Sequence, residues 1–188
     1  MKKYNNVVFD IDNTVTELDF VLEHMGEYFK KPIVGVDDVL DFNLGLSYGV
    51  DPDEDLMFWK TQEYHLVKNA ILSQRRLQNI LDTYTNSDTK IHYVSARPKG
   101  LLDTTIEWLE SHGLEFETVA CIGSESKIDY MKDNTPGVEA VFEDNPNFFK
   151  EVDERGHSKD FDMFCIDYGY NRTILHLNRL DRDTGLPS

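Results

Sequence analysis

The stretch Val7-Val8-Phe9-Asp10-Ile11-Asp12-Asn13-Thr14-Val15 decides how the rest of this chain is interpreted. Its apolar first part is typical of a buried strand, and two aspartates stand two positions apart where that strand ends. Side chains alternate along a strand, so Asp10 and Asp12 are expected to point to the same side. Two crowded carboxylates cost stability unless a cation, a proton or a substrate compensates, which indicates chemistry rather than packing.

The composition of the chain fits one well-buried core and excludes several kinds of partner. The chain has 188 residues and a formal net charge of −16, so long nucleic acid or an anionic membrane surface would meet a repulsive field. A small phosphorylated metabolite remains acceptable, because a bound divalent cation can reverse the charge locally. No stretch is apolar for long enough to cross a bilayer, and residues 1–6 lack the apolar core of a signal peptide. We therefore expect a soluble, cytoplasmic protein.

Short apolar runs alternate with helical patterns along the chain, which is typical of a doubly wound α/β sheet. The runs predicted as buried parallel strands are Asn6–Asp10, Lys90–Ser95, Thr118–Ile122, Glu139–Glu143 and Phe161–Ile166. The helices predicted after the later strands are Pro98–His112, Ser126–Lys132 and Pro146–Arg155. The expected fold is a three-layer α/β/α arrangement around this parallel sheet.

The interval between the first two predicted strands is too long for a simple crossover. It contains helical patterns at Leu18–Phe29 and Asp53–Leu72 and no convincing buried strand. Residues 17–72 are therefore expected to form an inserted helical cap. Residues 1–16 and 73–188 are expected to form a Rossmann-like core that resumes with a helix near Gln74–Tyr84, while the tail Asp181–Ser188 is expected to be frayed.

Polar side chains stand at or near the ends of further predicted strands, where open α/β sheets place their ligands. Ser95 ends the second strand, Lys127 begins the helix after the third, and Glu143 and Asp144 end the fourth. Each has a simpler explanation alone: a helix cap, a solvated lysine, or a turn before Pro146. Together with the first two aspartates they place carboxylates, a hydroxyl and a cation at successive strand ends, and this joint pattern is far more specific.

In order along the chain, Asp10-Ile11-Asp12-Asn13-Thr14, Ser95, Lys127 and Glu143-Asp144 resemble the four sequence motifs of the haloacid dehalogenase superfamily. Within it, a second aspartate two residues after the first is the mark of the magnesium-dependent phosphatases. The size of the chain, the cap after the first motif and the stretch Phe142–Pro146 resemble the 5′(3′)-deoxyribonucleotidases and small bacterial or phage nucleotidases. The resemblance covers the core, and its cap portion is loose.

Three further residues or segments bear on the resemblance. Asn13 stands where many relatives have glycine, but asparagine tolerates the same left-handed turn. Lys132 is an alternative to Lys127 for the third motif. The segment Tyr170-Asn171-Arg172 points weakly to the same nucleotidases.

The resemblance implies a role for each acidic residue. Asp10 would be the nucleophile that forms an aspartyl-phosphate, and Asp12 would protonate the leaving alkoxide and then activate water. Mg²⁺ would be held by Asp10, the backbone carbonyl of Asp12 and the Asp144 carboxylate, with Glu143 supporting the metal shell through water.

The resemblance also implies which groups bind the substrate. Ser95 and the backbone amides near Thr14 and Ala96 would bind the phosphate oxygens, and Lys127 would neutralise charge on them and on Asp10. For Arg97, contact with the phosphate and bracing of its own loop are both open.

The predicted cap is rich in aromatic residues: Phe42, Tyr48, Phe58, Trp59 and Tyr64. Phe58 and Trp59 are neighbours on a predicted helix, so they cannot both face one packing stripe. Trp59 is a candidate to stack on a nucleobase, which is worth roughly 1–3 kcal/mol. The alternative is that these rings pack the helices of the cap. Arg75 and Arg76 are expected to be solvated.

The predicted function is a Mg²⁺-dependent phosphatase that acts on a small phosphorylated metabolite, with a (deoxy)nucleoside monophosphate as substrate in the manner of a 5′-nucleotidase. Sugar phosphates, a polynucleotide 3′-phosphate end, and a noncatalytic phosphate- or metal-binding protein on the same scaffold are the alternatives. A homodimer is left open. A calcium loop of the EF-hand type is rejected, because Val15 and Val21 stand where it needs glycine and glutamate.

Overall fold

A computed structural model describes residues 1–174 and 176–188, and within them the strands form one parallel sheet. The strands are β1 (Asn6–Phe9), β2 (Lys90–Ser95), β3 (Thr118–Cys121), β4 (Ala140–Glu143), β5 (Asp162–Ile166) and β6 (Asn178–Leu180). Their order across the sheet is β3-β2-β1-β4-β5-β6, and every neighbouring pair is parallel. The winding direction changes between β1 and β4, so a ligand crevice is expected beyond the carboxyl ends of these two strands.

The helices follow the predicted pattern closely. They are α1 (Leu18–Phe29), α2 (Leu44–Tyr48), α3 (Pro52–Asn69), α4 (Gln74–Tyr84), α5 (Leu102–Ser111), α6 (Lys127–Asn134) and α7 (Pro146–Glu154). Residues Lys99–Leu101 form a 3₁₀ turn before α5, so the helix predicted from Pro98 begins later than expected. The short helix α2 and the three-residue strand β6 were not predicted, because neither is long enough to show a hydrophobic period. The predicted doubly wound α/β fold is confirmed.

Alternate side chains of β1 to β5 supply two separate cores, one on each face of the sheet. Val7 and Phe9 point into the core shared with α4 and α5, whereas Val8 points into the core shared with α6 and α7. Phe142 stacks between Phe9 and Phe164, with ring centroids 4.6 and 4.8 Å apart. Because both faces of the sheet are covered, the strands read as continuous apolar runs in the sequence.

Residues 17–72, called the helical segment below, leave and rejoin the sheet side by side. Thr16 and Leu72 form an isolated antiparallel bridge. Beside it, the Glu17 amide donates to the Ile71 carbonyl at 2.8 Å, and the Ser73 amide donates to the Val15 carbonyl at 2.9 Å. The segment packs on the same face of the sheet as α4 and α5. Over residues 1–174 and 176–188, no helix is both long and apolar enough to cross a membrane.

Arg76 contradicts the expectation that both arginines at the start of α4 are solvated. Arg75 is exposed, but Arg76 is fully buried. The Arg76 guanidinium donates to the Thr16 carbonyl at 2.7 Å, to the Arg182 carbonyl at 2.8 Å and to Tyr168 Oη at 3.0 Å. This burial is tolerated because backbone and phenol oxygens accept from Nη1 and Nη2, and because the Glu17 carboxylate lies 3.6 Å from Nη2. Among the described residues, Nε has no partner.

The C-terminal tail is also folded, so the expectation that residues 181–188 are frayed is wrong. Asn79 of α4 donates to the Thr184 carbonyl at 2.8 Å, and Pro187 forms an antiparallel bridge with Leu180. A Cβ added at Gly185 would lie 2.6 Å from the Arg76 carbonyl oxygen, so this residue must be glycine for the tail to lie against α4. The tail therefore packs against the first two turns of α4.

Candidate active site

The turn after β1 sets the positions of the first two aspartates. The Asp10 amide donates to the Phe142 carbonyl at 2.9 Å, which continues the β1–β4 pairing by one residue. Asn13 then adopts a φ of +63°, so the predicted left-handed turn is confirmed. Its amide donates to Thr16 Oγ1 at 3.1 Å, and this closes the loop. Asp10 is consequently buried, while Asp12 lies at the surface of the crevice.

Lys127, at the start of α6, lies between two buried carboxylates. Its Nζ donates to Asp10 Oδ1 at 2.6 Å and to Glu143 Oε2 at 2.5 Å. Burial alone would lower the pKa of Lys127, but the charges of Asp10 and Glu143 outweigh burial and raise it, so the ammonium stays charged. Lys132, the alternative for the third motif, lies away from this cluster with Nζ 2.7 Å from His157 Nε2.

Glu143 is almost completely buried, and both of its oxygens have partners. Oε2 accepts from Lys127, and Oε1 accepts from the backbone amides of Asp144 and Asn145 at 3.0 Å each. This bonding fixes the chain where β4 ends and also fixes the position of Lys127.

Carboxylate oxygens of Asp10, Glu143 and Asp144 lie within 4.8 Å of one another, close enough to share a cation. Two of these three buried carboxylates are bonded to Lys127, and the hard oxygen donors of all three suit Mg²⁺. Burial, followed by the charge of Glu143, raises the pKa of Asp144 to about 8 and holds the pKa of Asp10 well above its usual value. The residues present therefore fit a divalent cation. The Asp12 carboxylate is not part of this trio.

Asp144 is oriented by residues that the sequence analysis did not assign to the site. Tyr170 Oη donates to Asp144 Oδ2 at 2.5 Å, and Asn13 Nδ2 donates to the same oxygen at 3.3 Å. Asn171 Nδ2 donates to the Asp144 carbonyl at 2.9 Å and to the Ile166 carbonyl at 2.8 Å. In the sequence, the segment Tyr170-Asn171-Arg172 contributes to the family resemblance and predicts no role of its own.

The Arg97 side chain forms an ion pair with Asp12. Its Nε donates to Asp12 Oδ2 at 2.9 Å and its Nη2 donates to Oδ1 at 2.7 Å, a two-point ion pair. The Arg97 side chain is buried, whereas about half of the Asp12 side chain is exposed. Ser95 Oγ accepts from the Arg97 amide at 3.1 Å and donates to Asp12 Oδ2 at 3.3 Å. The Arg97 side chain therefore holds Asp12 in this structure, and its contact with phosphate stays a prediction.

These strand ends open into a cleft of about 580 Å³. The sheet edge contributes the predicted residues Asp10, Asp12, Ser95, Ala96, Arg97, Lys127, Glu143 and Asp144. The side chain of Thr14 is buried and does not line the cleft, so its predicted contact with substrate would involve only the backbone.

The helical segment forms the opposite wall of the cleft. Trp59 and Phe42 line it, whereas Phe58 is fully buried among the helices of the segment. Tyr48 is buried and Tyr64 is exposed away from the cleft. Of the two adjacent aromatic residues, the structure therefore places Trp59 beside the site and Phe58 in the packing.

The buried carboxyl groups predict an unusual pH dependence of stability without metal. Because Asp10 and Asp144 have raised pKa values, the folded chain binds more protons than the unfolded chain between about pH 4 and pH 8, and stability falls as the pH rises through this interval. Asp144→Asn is expected to stabilise the chelator-treated protein at pH 8 by about 2 kcal/mol and to flatten this profile. Thermal melts in chelator at several pH values measure both effects.

Glu154→Gln is the matched control for Asp144→Asn, because Glu154 is an exposed carboxylate on α7. It is expected to leave the profile unchanged. An Asp144→Asn profile parallel to that of the parent protein would contradict the assignment of a destabilising charge to Asp144.

The fold is that of a solved HAD-superfamily hydrolase and the curated relatives carry nucleotidase names, which agrees with the resemblance found in the sequence. The structure superimposes on a HAD-superfamily hydrolase of subfamily IA, variant 1, from Geobacter sulfurreducens, with a TM-score of 0.52 and 11% identity over 95% of this chain and 93% of that one. At this identity the likeness concerns the fold. No family model matches the chain.

Three curated proteins that are similar in sequence carry nucleotidase names. A protein named "Putative nucleotidase" from Halalkalibacterium halodurans is 29% identical over 77% of this chain and 71% of its own length. Another of that name from Bacillus subtilis is 24% identical over 72% and 68%. A "Nucleotidase" from Clostridium acetobutylicum is 23% identical over 92% and 85%.

Proposed function

We propose that this protein is a Mg²⁺-dependent phosphohydrolase that releases phosphate from (deoxy)nucleoside 5′-monophosphates through an aspartyl-phosphate on Asp10. One observation carries the proposal. The Asp10 carboxylate is buried at the end of β1, lies within 4.8 Å of an Asp144 carboxylate oxygen and accepts from Lys127. It also lines a cleft with aromatic rings on its other wall. The names of the curated relatives support the substrate class.

The chemistry divides between Asp10 and Asp12. An Asp10 oxygen attacks phosphorus as the ester P–O bond breaks, and the leaving alkoxide takes a proton from Asp12. Asp12 then removes a proton from the attacking water, and phosphate leaves as the Asp10 carboxylate is restored. Lys127 holds positive charge beside the Asp10 oxygen throughout.

The Asp12–Arg97 pair constrains this scheme. Both Asp12 oxygens are bonded to the Arg97 guanidinium, so Asp12 can reach a leaving oxygen only when this pair separates. We infer that the phosphate dianion competes with Asp12 for the Arg97 guanidinium as substrate enters.

Asp10, Asp144 and the backbone carbonyl of Asp12 would hold Mg²⁺, which supplies positive charge against the incoming phosphate dianion. Glu143 would act behind this shell, since its own oxygens are occupied by Lys127 and by backbone amides.

The helical segment 17–72 would act as the cap over a core formed by residues 1–16 and 73–188. The paired backbones at Thr16 and Leu72 would serve as its hinge. The aromatic residues Trp59 and Phe42 on this wall favour a nucleobase over the hydroxyl-rich body of a sugar phosphate.

A substrate panel tests the proposal. Purified protein is assayed for phosphate release from nucleoside monophosphates, ribose 5-phosphate and 4-nitrophenyl phosphate. With Mg²⁺, the nucleoside monophosphates are expected to be the best substrates. Chelation is expected to reduce turnover by roughly 100-fold or more, and Ca²⁺ should restore little of it because its looser shell misaligns the phosphate.

Restoring Mg²⁺ after chelation is the control, and full activity should return. If no monoester released phosphate with metal present, the catalytic proposal would fail and the noncatalytic alternative would stand. If ribose 5-phosphate exceeded every nucleotide, the sugar-phosphate alternative would replace the nucleotidase.

A further inference from the structure

Two hydrogen-bonded side chains of helix α3 line the cleft. The chemistry proposed for phosphate release does not use them. Trp59 Nε1 donates to Asp55 Oδ1 at 3.2 Å, and both residues line the cleft. Among the hydrogen bonds of the described residues, Asp55 Oδ2 accepts none. The Asp55 carboxylate therefore offers a free acceptor beside an aromatic ring.

The Asp55 side chain is held in place from behind. A Cβ added at Gly45 would lie 2.6 Å from Asp55 Cγ, so the backbone of α2 packs directly against this carboxylate. Burial raises the pKa of Asp55, although its bond with Trp59 acts in the opposite direction. A fixed, partly desolvated carboxylate gains more from a hydrogen-bond donor than a solvated one does.

The charge of the cleft indicates what kind of group this end accepts. Among the described residues that line the cleft, the basic ones are Arg97 and Lys127, and both are paired with carboxylates at the sheet edge. The wall of the helical segment carries Glu17, Asp55 and Glu63. A second phosphate would be repelled there, whereas a flat neutral ring with N–H donors would be attracted.

We propose that Asp55 and Trp59 form a base subsite that selects nucleoside monophosphates whose base presents adjacent N–H donors, with guanine preferred. This rests on the proposed function. Trp59 supplies the ring face for stacking. Guanine N1–H and the exocyclic amine lie side by side. Asp55 Oδ2 accepts from one of them, and Oδ1, which has a second lone pair besides the one that accepts from Trp59, accepts from the other. Uracil and thymine present one N–H between two carbonyl oxygens, and those oxygens are repelled by the carboxylate.

Binding to the Asp10→Asn protein with Mg²⁺ tests the subsite without turnover. Isothermal titration with GMP, UMP and ribose 5-phosphate is expected to show GMP bound roughly 10- to 100-fold more tightly than UMP, the range for hydrogen bonds to a charged group. Adding Asp55→Asn should abolish this preference, because the amide keeps an acceptor for Trp59 but loses the charge. Adding Trp59→Leu should weaken GMP about tenfold and leave ribose 5-phosphate unchanged.

Asp53→Asn is the matched control, since Asp53 makes the same charge change on α3 but is exposed and does not line the cleft. It should leave the GMP-to-UMP ratio unaltered. If Asp55→Asn weakened every ligand equally, Asp55 would only position Trp59 and the subsite would be refuted. Equal binding of GMP and UMP by the parent would refute it too.

The two proposals fail separately. Base-dependent binding without phosphate release in the unmutated protein would end the proposed function and leave the subsite standing. Phosphate release at equal kcat/KM for GMP and UMP would end the subsite alone.

Discussion

Asp10→Asn is expected to lower kcat for the best nucleoside monophosphate by about 10⁴-fold or more, since an amide cannot form the acyl-phosphate bond. The fold should survive, because Asp10 is one of three buried carboxylates that repel one another. Removing its charge should raise the melting temperature of the chelator-treated protein. Single-turnover assays and thermal melts on the same preparation measure both results.

Asp133→Asn is the control for Asp10→Asn, since Asp133 is an exposed carboxylate on α6 remote from the cleft lining. It should change neither kcat nor the melting temperature. Hydrolysis by Asp10→Asn at a tenth of the parent rate would remove Asp10 as nucleophile and leave the metal site to be explained in another way.

Lys127→Met is expected to produce the largest loss of stability. Its Nζ is the shared partner of Asp10 and Glu143, and all three side chains are buried. Without it the two carboxylates face each other unpaired, which should cost about 3–5 kcal/mol of unfolding free energy at pH 8 without metal. That corresponds to a fall in melting temperature of roughly 6–20 °C for a domain of this size.

The loss on Lys127→Met should shrink at acidic pH. Since the raised pKa of Asp10 lets it take up a proton more readily, its unpaired charge disappears as the pH falls. Lys132→Met is the matched control on the same helix, because Lys132 is exposed, and it should cost less than about 0.5 kcal/mol. Equal losses for the two lysine variants in urea titrations would contradict the ion-pair arrangement.

The sheet could be predicted from the sequence because its strands are buried on both faces. Lys90–Ser95 and Asp162–Ile166 read as nearly continuous apolar runs for that reason. Once the strands are parallel and wound in this order, their carboxyl ends must meet at one edge, so the grouping of Asp10, Ser95 and Asp144 follows from topology. β6 could not be predicted, because Asn178–Leu180 has only three residues and two of them are polar.

The contacts that could not be predicted are those between polar groups far apart in the chain. Tyr170 reaches Asp144 across a loop, and nothing in the local pattern of either residue shows the other. Arg76 is more instructive: it lies four residues before Ile80 on the buried face of α4, so its helical position indicated burial while its charge indicated exposure. Arg76 can be buried because the Thr16 and Arg182 carbonyls accept from its guanidinium. A sequence pattern does not show contacts with backbone carbonyls so far away in the chain.

The antiparallel bridge between Thr16 and Leu72 has a consequence for how specificity can diverge in such proteins. The chain enters and leaves residues 17–72 at neighbouring positions after β1. Another helical unit whose two ends lie close together could therefore replace this segment without changing the sheet. Under the proposed function, chimeras in which another helical unit replaces residues 17–72 should change their choice of substrate and keep the carboxylates of this chain. The segment that contacts the substrate could then be exchanged without changing the residues that break the bond.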